Sequence, residues 1–253
     1  MYRDFQEQLY GNDTYAKTMV LLDMKQGDVT GDGITDYIYL MGSKSNETEF
    51  FTDHITLLIQ DGRSNRISTV TFQYNGGYNA RLFLGDFTKD HVLDILVSID
   101  SGGSGGYGYF YIYSFKDYIL RQLFDVEKYN QDYLFEVHYE DFYKVSVRSA
   151  KLNILFTIDI SNKGQDYLSQ FYDENGKLKQ PVQGGALALG ILYPVVTTNK
   201  ESSYELLAFQ RIIGTTNSDT LGYIENLLTW NGAQFISSLL NISLPGTKLK
   251  SLD

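Results

Sequence analysis

The chain has 253 residues, of which 43% are hydrophobic and 21% charged, a balance that suits a folded globular protein and excludes a disordered one. Its net charge of −10 argues against a nucleic-acid partner. The absence of cysteine excludes disulfides and thiolate metal sites, and no apolar stretch approaches the roughly 20 residues of a membrane helix, so no membrane insertion is expected.

The chain begins "MYRDFQEQLYGND", which lacks the basic and then apolar segments of a secretory leader. The protein is therefore expected in the cytoplasm, or at the cell surface or secreted if a leader has been removed. Tyr2, Phe5 and Leu9 share one face of a short predicted helix. From there the pattern is that of strands. "KTMVLLDM", "TDYIYLMG", "HITLLIQ" and "ISTVTFQ" form a first set of four, and "ARLFLGDF", "LDILVSID", "GYFYIYS" and "ILRQLFD" a second. A third set comprises "LFEVHYED", "LNILFTID", "YLSQFYD" and a weak "KLKQPV". A fourth comprises "ALALGILYPVV", "YELLAFQRIIG", "IENLLTW" and "AQFISSLL".

Turn signals punctuate the sets at Asp61-Gly62, Lys116-Asp117, Asn175-Gly176 and Asn231-Gly232. From Asp61 to Asp117, Asn175 and Asn231 the steps are 56, 58 and 56 residues. Such dipeptides favour two-residue hairpins. Four strands recurring at a fixed period predict an all-β fold, a small β-propeller of about four blades with four antiparallel strands each, or five blades if the N-terminus contributes one. The expected organisation is a single domain over 1–253 with repeats at 19–78, 79–130, 131–182 and 183–244, and a tail at 245–253. A β-sandwich is the rival, but a sandwich has no reason to repeat.

Between the first and second strands of the first set lies "GDVTGDGITDYIYL". Shifted by 58 positions it meets "GDFTKDHVLDILV". Asp28, Thr30, Asp32, Ile34 and Asp36 fall on Asp86, Thr88, Asp90, Val92 and Asp94, so both loops read D-x-T-x-D-x-[IV]-x-D. Carboxylates and a hydroxyl at alternate positions, with a main-chain carbonyl at Ile34 or Val92, suit a calcium ion, which takes 6–8 oxygen ligands. The first loop is the stronger calcium site, because Gly33 supplies a permissive turn. In the second, His91 replaces that glycine and Lys89 adds a positive charge. An EF-hand is excluded, since the twelfth position from Asp28 is Tyr39 inside a strand. The third set carries "KVSVRSAKLN" where the loop would fall, and the fourth "TTNKESSYE"; neither has the aspartate spacing.

"GDVTGDGITDYIYLMG" and "GDFTKDHVLDILVSIDSGGSGGYGYFYIY" resemble the FG-GAP and VCBS-type repeats of integrin-like β-propellers. The resemblance covers about 45 residues in two units. It implies a propeller with calcium in its blade loops and a role in recognition or adhesion.

Signs of catalysis are sparse. "GGSGG" at Gly102–Gly106 fits the G-x-S-x-G pattern of serine hydrolases, but a strand follows Ser104 where a helix is required. His54, His91 and His138 are scattered. The functional expectation is a non-enzymatic calcium-stabilised recognition or adhesion module, on a bacterial cell or spore surface, with a protein or glycan ligand. The alternative is a glycan-binding lectin or a glycoside hydrolase on the same scaffold. Tyr37, Tyr39, Tyr107, Tyr109, Tyr111 and Tyr113 would stack on sugars if exposed, though alternation in strands buries part of them.

Overall fold

A computed structural model describes residues 18–46, 49–197 and 203–246. The helix expected around Tyr2, Phe5 and Leu9 lies outside the described residues. The fold is all-β, with fifteen strands among the described residues arranged in four antiparallel sheets, none closed into a barrel. No described helix is long and apolar enough to cross a membrane.

The described residues divide into two compact units. The first holds the chain to Gly102, Gly108–Phe124 and Ser203–Tyr204; the second holds Gly103–Tyr107, Asp125–Thr197 and the chain from Glu205. In the first unit, β1 (Thr18–Gly27), β2 (Asp36–Lys44), β3 (Asp53–Gln60) and β4 (Ile67–Thr71) form one sheet in sequence order. The strands β5 (Tyr78–Gly85), β6 (Asp94–Asp100), β7 (Gly108–Ser114) and β8 (Arg121–Asp125) form the next. All eight were predicted. Alternation explains β2, where Ile38 and Leu40 are buried and Tyr37 is exposed. The continuous run "DILVSI" of β6 is buried on both faces, as an inner strand should be.

Ile38, Leu40, Leu57 and Ile59 pack with Val97 and Ile99 in one core. A bulge between Leu21 and Asp23 turns Asp23 towards the neighbouring sheet, where its carboxylate accepts from the Leu82 N–H at 2.8 Å.

In the second unit, β9 (Glu136–Glu140), β10 (Lys144–Ser149) and β11 (Ile154–Asp159) form a three-stranded sheet with β10 in the middle. The strands β12 (Gly185–Val195), β13 (Glu205–Ile213), β14 (Thr220–Trp230) and β15 (Phe235–Ser243) form a long four-stranded meander. Here three expectations fail, the first being "KLKQPV", expected as a weak fourth strand, which makes only an isolated bridge from Leu178 to Tyr172. "KVSVRS", placed where an acidic loop would fall, is the central strand β10, with Val145 and Val147 fully buried. "YLSQFYD", predicted as a strand, is mostly a helix, Gln165–Phe171. Its apolar residues follow helical spacing: Leu168 is buried, and Tyr167 and Phe171 pack on the same core. A second short helix, Val126–Asp132, follows β8, capped by the Asp125 carboxylate, which accepts from the Glu127 and Lys128 N–H groups.

The first two predicted turns exist, but not as two-residue hairpins. The β3–β4 link runs over Asp61–Arg66, closed by Asp61 N–H to Arg66 O at 2.9 Å. The β7–β8 link contains a 3-10 turn, Lys116–Tyr118.

Candidate functional site

The ten residues expected as calcium ligands lie in two neighbouring loops of the first unit. The loops are tied together: Leu93 N–H donates to Asp28 O at 3.2 Å. The 3-10 turn clasps both. Asp117 N–H donates to Thr30 O at 2.9 Å, Tyr118 OH donates to Asp32 Oδ2 at 3.2 Å, and Lys116 Nζ donates to Asp90 Oδ2 at 3.0 Å.

Within the first loop each carboxylate has a defined task. Asp36, fully buried at the start of β2, accepts from the N–H groups of Val29 (3.0 Å) and Thr30 (3.1 Å) through Oδ2. Its Oδ1 accepts from Gly62 N–H at 2.9 Å. Residue 62 must be glycine, because a Cβ there would sit 2.0 Å from the Thr35 carbonyl oxygen. Asp28 accepts from the N–H groups of Gly31 (2.7 Å) and Gly33 (2.9 Å). Asp32 accepts from Ile34 N–H at 2.9 Å and pairs with Arg63, Nε to Oδ2, at 2.7 Å. The Ile34 N–H, with Arg63 and Tyr118, holds the Asp32 carboxyl below the usual carboxylate range.

The second loop repeats this plan. Asp94 Oδ2 accepts from Phe87 N–H, Thr88 N–H and Thr88 Oγ1 at 3.0–3.2 Å. Asp86 accepts from the N–H groups of Lys89, Asp90 and His91, and Asp90 from Val92 N–H. Burial works against the charge of Asp90, but Lys116, Val92 N–H and Thr88 outweigh it, and its pKa is lowered. Left-handed backbone occurs twice in each loop. Gly31 (φ 80°) and Gly33 (φ 81°) take it in the first, Lys89 (φ 63°) and His91 (φ 65°) in the second. The sequence exposed the Gly33–His91 contrast but not the strain at Lys89, where a side chain costs about 1–2 kcal/mol relative to relaxed backbone.

These contacts test the fit of a calcium ion. The carboxylates of Asp28 and Asp36 turn towards main-chain N–H donors, and Asp32 and Asp90 each carry a basic side chain. Among the described residues no group of three or more His, Cys, Asp or Glu side chains is placed to hold a metal ion. In this structure the loop carboxylates are engaged by the chain's own donors and form no metal cluster among the described residues, and the metal-binding description is corrected to that. Sequence reasoning missed the residues that answer these charges, Arg63, Lys116 and Tyr118. Their signal was weak: one basic residue in or beside each of the first two turn signals.

Asp94 gives the loops a pH dependence. Burial pushes its pKa up to about 6, against the pull of the Phe87 and Thr88 N–H groups, and the Asp90 charge adds to the rise. The unfolded chain releases that proton near pH 4. Between the two values the folded state binds more protons, so this stabilisation is fully present below about pH 4 and lost as pH rises through about 6. Asp94→Asn cannot titrate. Measured against it, the wild type should lose about 2 kcal/mol between roughly pH 4.5 and pH 7.5. Parallel urea melts at the two pH values would show this, and a constant difference would refute it.

The second unit offers a different feature, a cleft of about 860 Å³ on the outer face of the β9–β11 sheet. Its polar lining includes His138, Glu140, Ser146, Arg148 and Thr157; Leu155, Leu178 and Pro181 supply apolar surface. The segment beyond Leu178 walls it, held to β9 by Tyr139 N–H to Val182 O and Gly184 N–H to Val137 O, both 3.0 Å. Glu140 accepts from Ser146 Oγ at 2.6 Å, and Arg148 Nη2 pairs with Glu136 at 2.7 Å. The predicted tyrosines are divided: Tyr111 and Tyr113 are buried, whereas Tyr37 and Tyr107 are exposed. Ser104 lies in a turn followed by β7, and a nucleophile elbow requires a helix there.

A family model described as the YybI C-terminal domain matches residues 133–243, which include the cleft and β9–β15. The chain is 39% identical over 224 residues to the uncharacterized protein YybI of Bacillus subtilis (strain 168), covering 88% of this chain and 85% of that protein. No solved structure matches. The resemblance to FG-GAP and VCBS repeats is corrected by these findings: no such repeat model matches. The likeness rested on a short loop that stabilises a tight connection between strands, a local solution open to unrelated β-proteins.

Proposed function

The chain belongs to the YybI family, and from that premise we propose that it is a non-enzymatic recognition module whose cleft on the β9–β11 sheet takes a glycan. The cleft carries this reading. Hydroxyl, imidazole and guanidinium groups line it beside Leu155, Leu178 and Pro181, and a sugar presents both hydroxyl groups and apolar C–H faces. It lies inside the stretch matched by the family model. The aspartate loops are structural in this reading. We propose further that the sheets are blades of a small propeller; three of the four being sequential four-strand meanders supports this.

A glycan array, run with a hydrolysis assay on each bound sugar, tests the function. Thr157→Trp fills the cleft from an exposed position and should abolish binding without unfolding the sheet. Binding that survives Thr157→Trp, or no binding on the glycan array, would defeat the reading. Turnover of a bound sugar would favour the hydrolase alternative.

A further inference from the structure

The carboxylates of the aspartate loops are engaged by the chain's own donors. Three carboxylates within nine residues require compensation. Amide N–H groups provide it for Asp28 and Asp36, but at Asp32 and Asp90 a full positive charge is in place. We propose that Arg63 and Lys116 are resident cations of the two loops, doing from within the chain what a metal ion would do.

Both arrive in the same way. Arg63 stands in the link after β3 and Lys116 in the link after β7, the third strand of each sheet. Both reach the aspartate at the same position of the shared pattern. The Arg63 guanidinium bridges two oxygens of one residue, Asp32 Oδ2 at 2.7 Å and Asp32 O at 3.3 Å. A carboxylate and a carbonyl oxygen are what a hard cation would otherwise draw on. Lys116 lays its stem over the first loop, with Cγ at 3.8 Å from where a Cβ on Gly31 would stand, and places its ammonium on the second. The 3-10 turn therefore serves both loops, since Tyr118 OH also binds Asp32 Oδ2.

A tethered cation does not dissociate, so the fold should be indifferent to metal supply. Arg63 is well exposed, and exposed ion pairs add little stability. Arg63→Gln should therefore fold with a small loss of melting temperature. It leaves Asp32 without its guanidinium partner, in a loop that still holds Asp28.

The experiment is thermal melting of the full chain in EDTA and in millimolar calcium chloride, with calorimetric titration of calcium. The wild type should melt at one temperature in both. Arg63→Gln should melt at least about 3 °C higher in calcium and take up one ion. Arg63→Lys, which keeps the charge, should again be indifferent. A wild type that EDTA destabilises and calcium restores overturns the proposal. So does an Arg63→Gln protein that folds but ignores calcium, or an Arg63→Lys protein that responds like it. If Arg63→Gln does not fold, the same measurements on Lys116→Gln decide the question by the same criteria.

Discussion

Asp36→Ala is expected to destabilise the first unit by about 4 kcal/mol, because it strands two buried donors and one half-buried donor at once. The N–H groups of Val29, Thr30 and Gly62 all end on its two oxygens. Each buried N–H left without a partner costs about 1–3 kcal/mol. Water cannot readily replace the carboxylate, since Asp36 and Val29 are fully buried and Thr30 is almost so. Gly62 cannot turn away either, with Thr35 O against its Cα. Asp36→Asn should cost about half as much, because it keeps one acceptor and turns a donor towards an N–H. The single tryptophan, Trp230, belongs to the second unit. The readout is therefore amide hydrogen exchange in β2 and β3, where the loss should appear as faster global exchange. A change below about 1 kcal/mol would mean that these hydrogen bonds are not holding the sheet.

Asp219→Ala should cost the second unit about 2–3 kcal/mol, chiefly by leaving polar groups without their shared acceptor. Asp219 Oδ2 accepts from Tyr167 OH at 2.5 Å, and Oδ1 from Lys163 Nζ at 2.7 Å. Tyr139 OH lies 2.6 Å from Tyr167 OH and 3.5 Å from Asp219 Oδ2. Lys163 also sits over the Tyr167 ring, 4.7 Å from its centre. Burial, then Asp219, then Tyr139 drive the Tyr167 phenol well above its ordinary range; burial lifts Tyr139 to about 12. Both therefore stay protonated, as donors to the carboxylate require. The network fastens the Gln165–Phe171 helix to the β13–β14 connection. Urea unfolding followed by Trp230 fluorescence measures the loss. Asp166→Ala, an exposed acid on the same helix, should change little. Equal effects from the two would remove the network from any account of stability.

The sequence by itself determined the strands wherever one signal sufficed. Alternation or an unbroken apolar run marked every strand except β10, because a strand's burial pattern is written in consecutive residues. The repeated D-x-T-x-D-x-[IV]-x-D loops were legible for the same reason, and they do lie between the first and second strands of their sheets. Only the tertiary structure decided what the carboxylates do. Asp32 and Arg63 are 31 residues apart, and Asp32 and Tyr118 86 apart, so no local spacing announces them. Acidic loops of one pattern can be answered by a metal, by amides or by a tethered cation, and the choice depends on what the adjoining turns bring. The third sheet shows the same limit. In "YLSQFYD" apolar residues fit either a strand or a helix, and the core beneath Leu168 selected the helix. The repeat register places an acidic-loop position over "KVSVRS", yet its place between β9 and β11 buries Val145 and Val147 completely. The cleft on that sheet is likewise a product of assembly, its residues drawn from three strands and from a segment more than 20 residues further along.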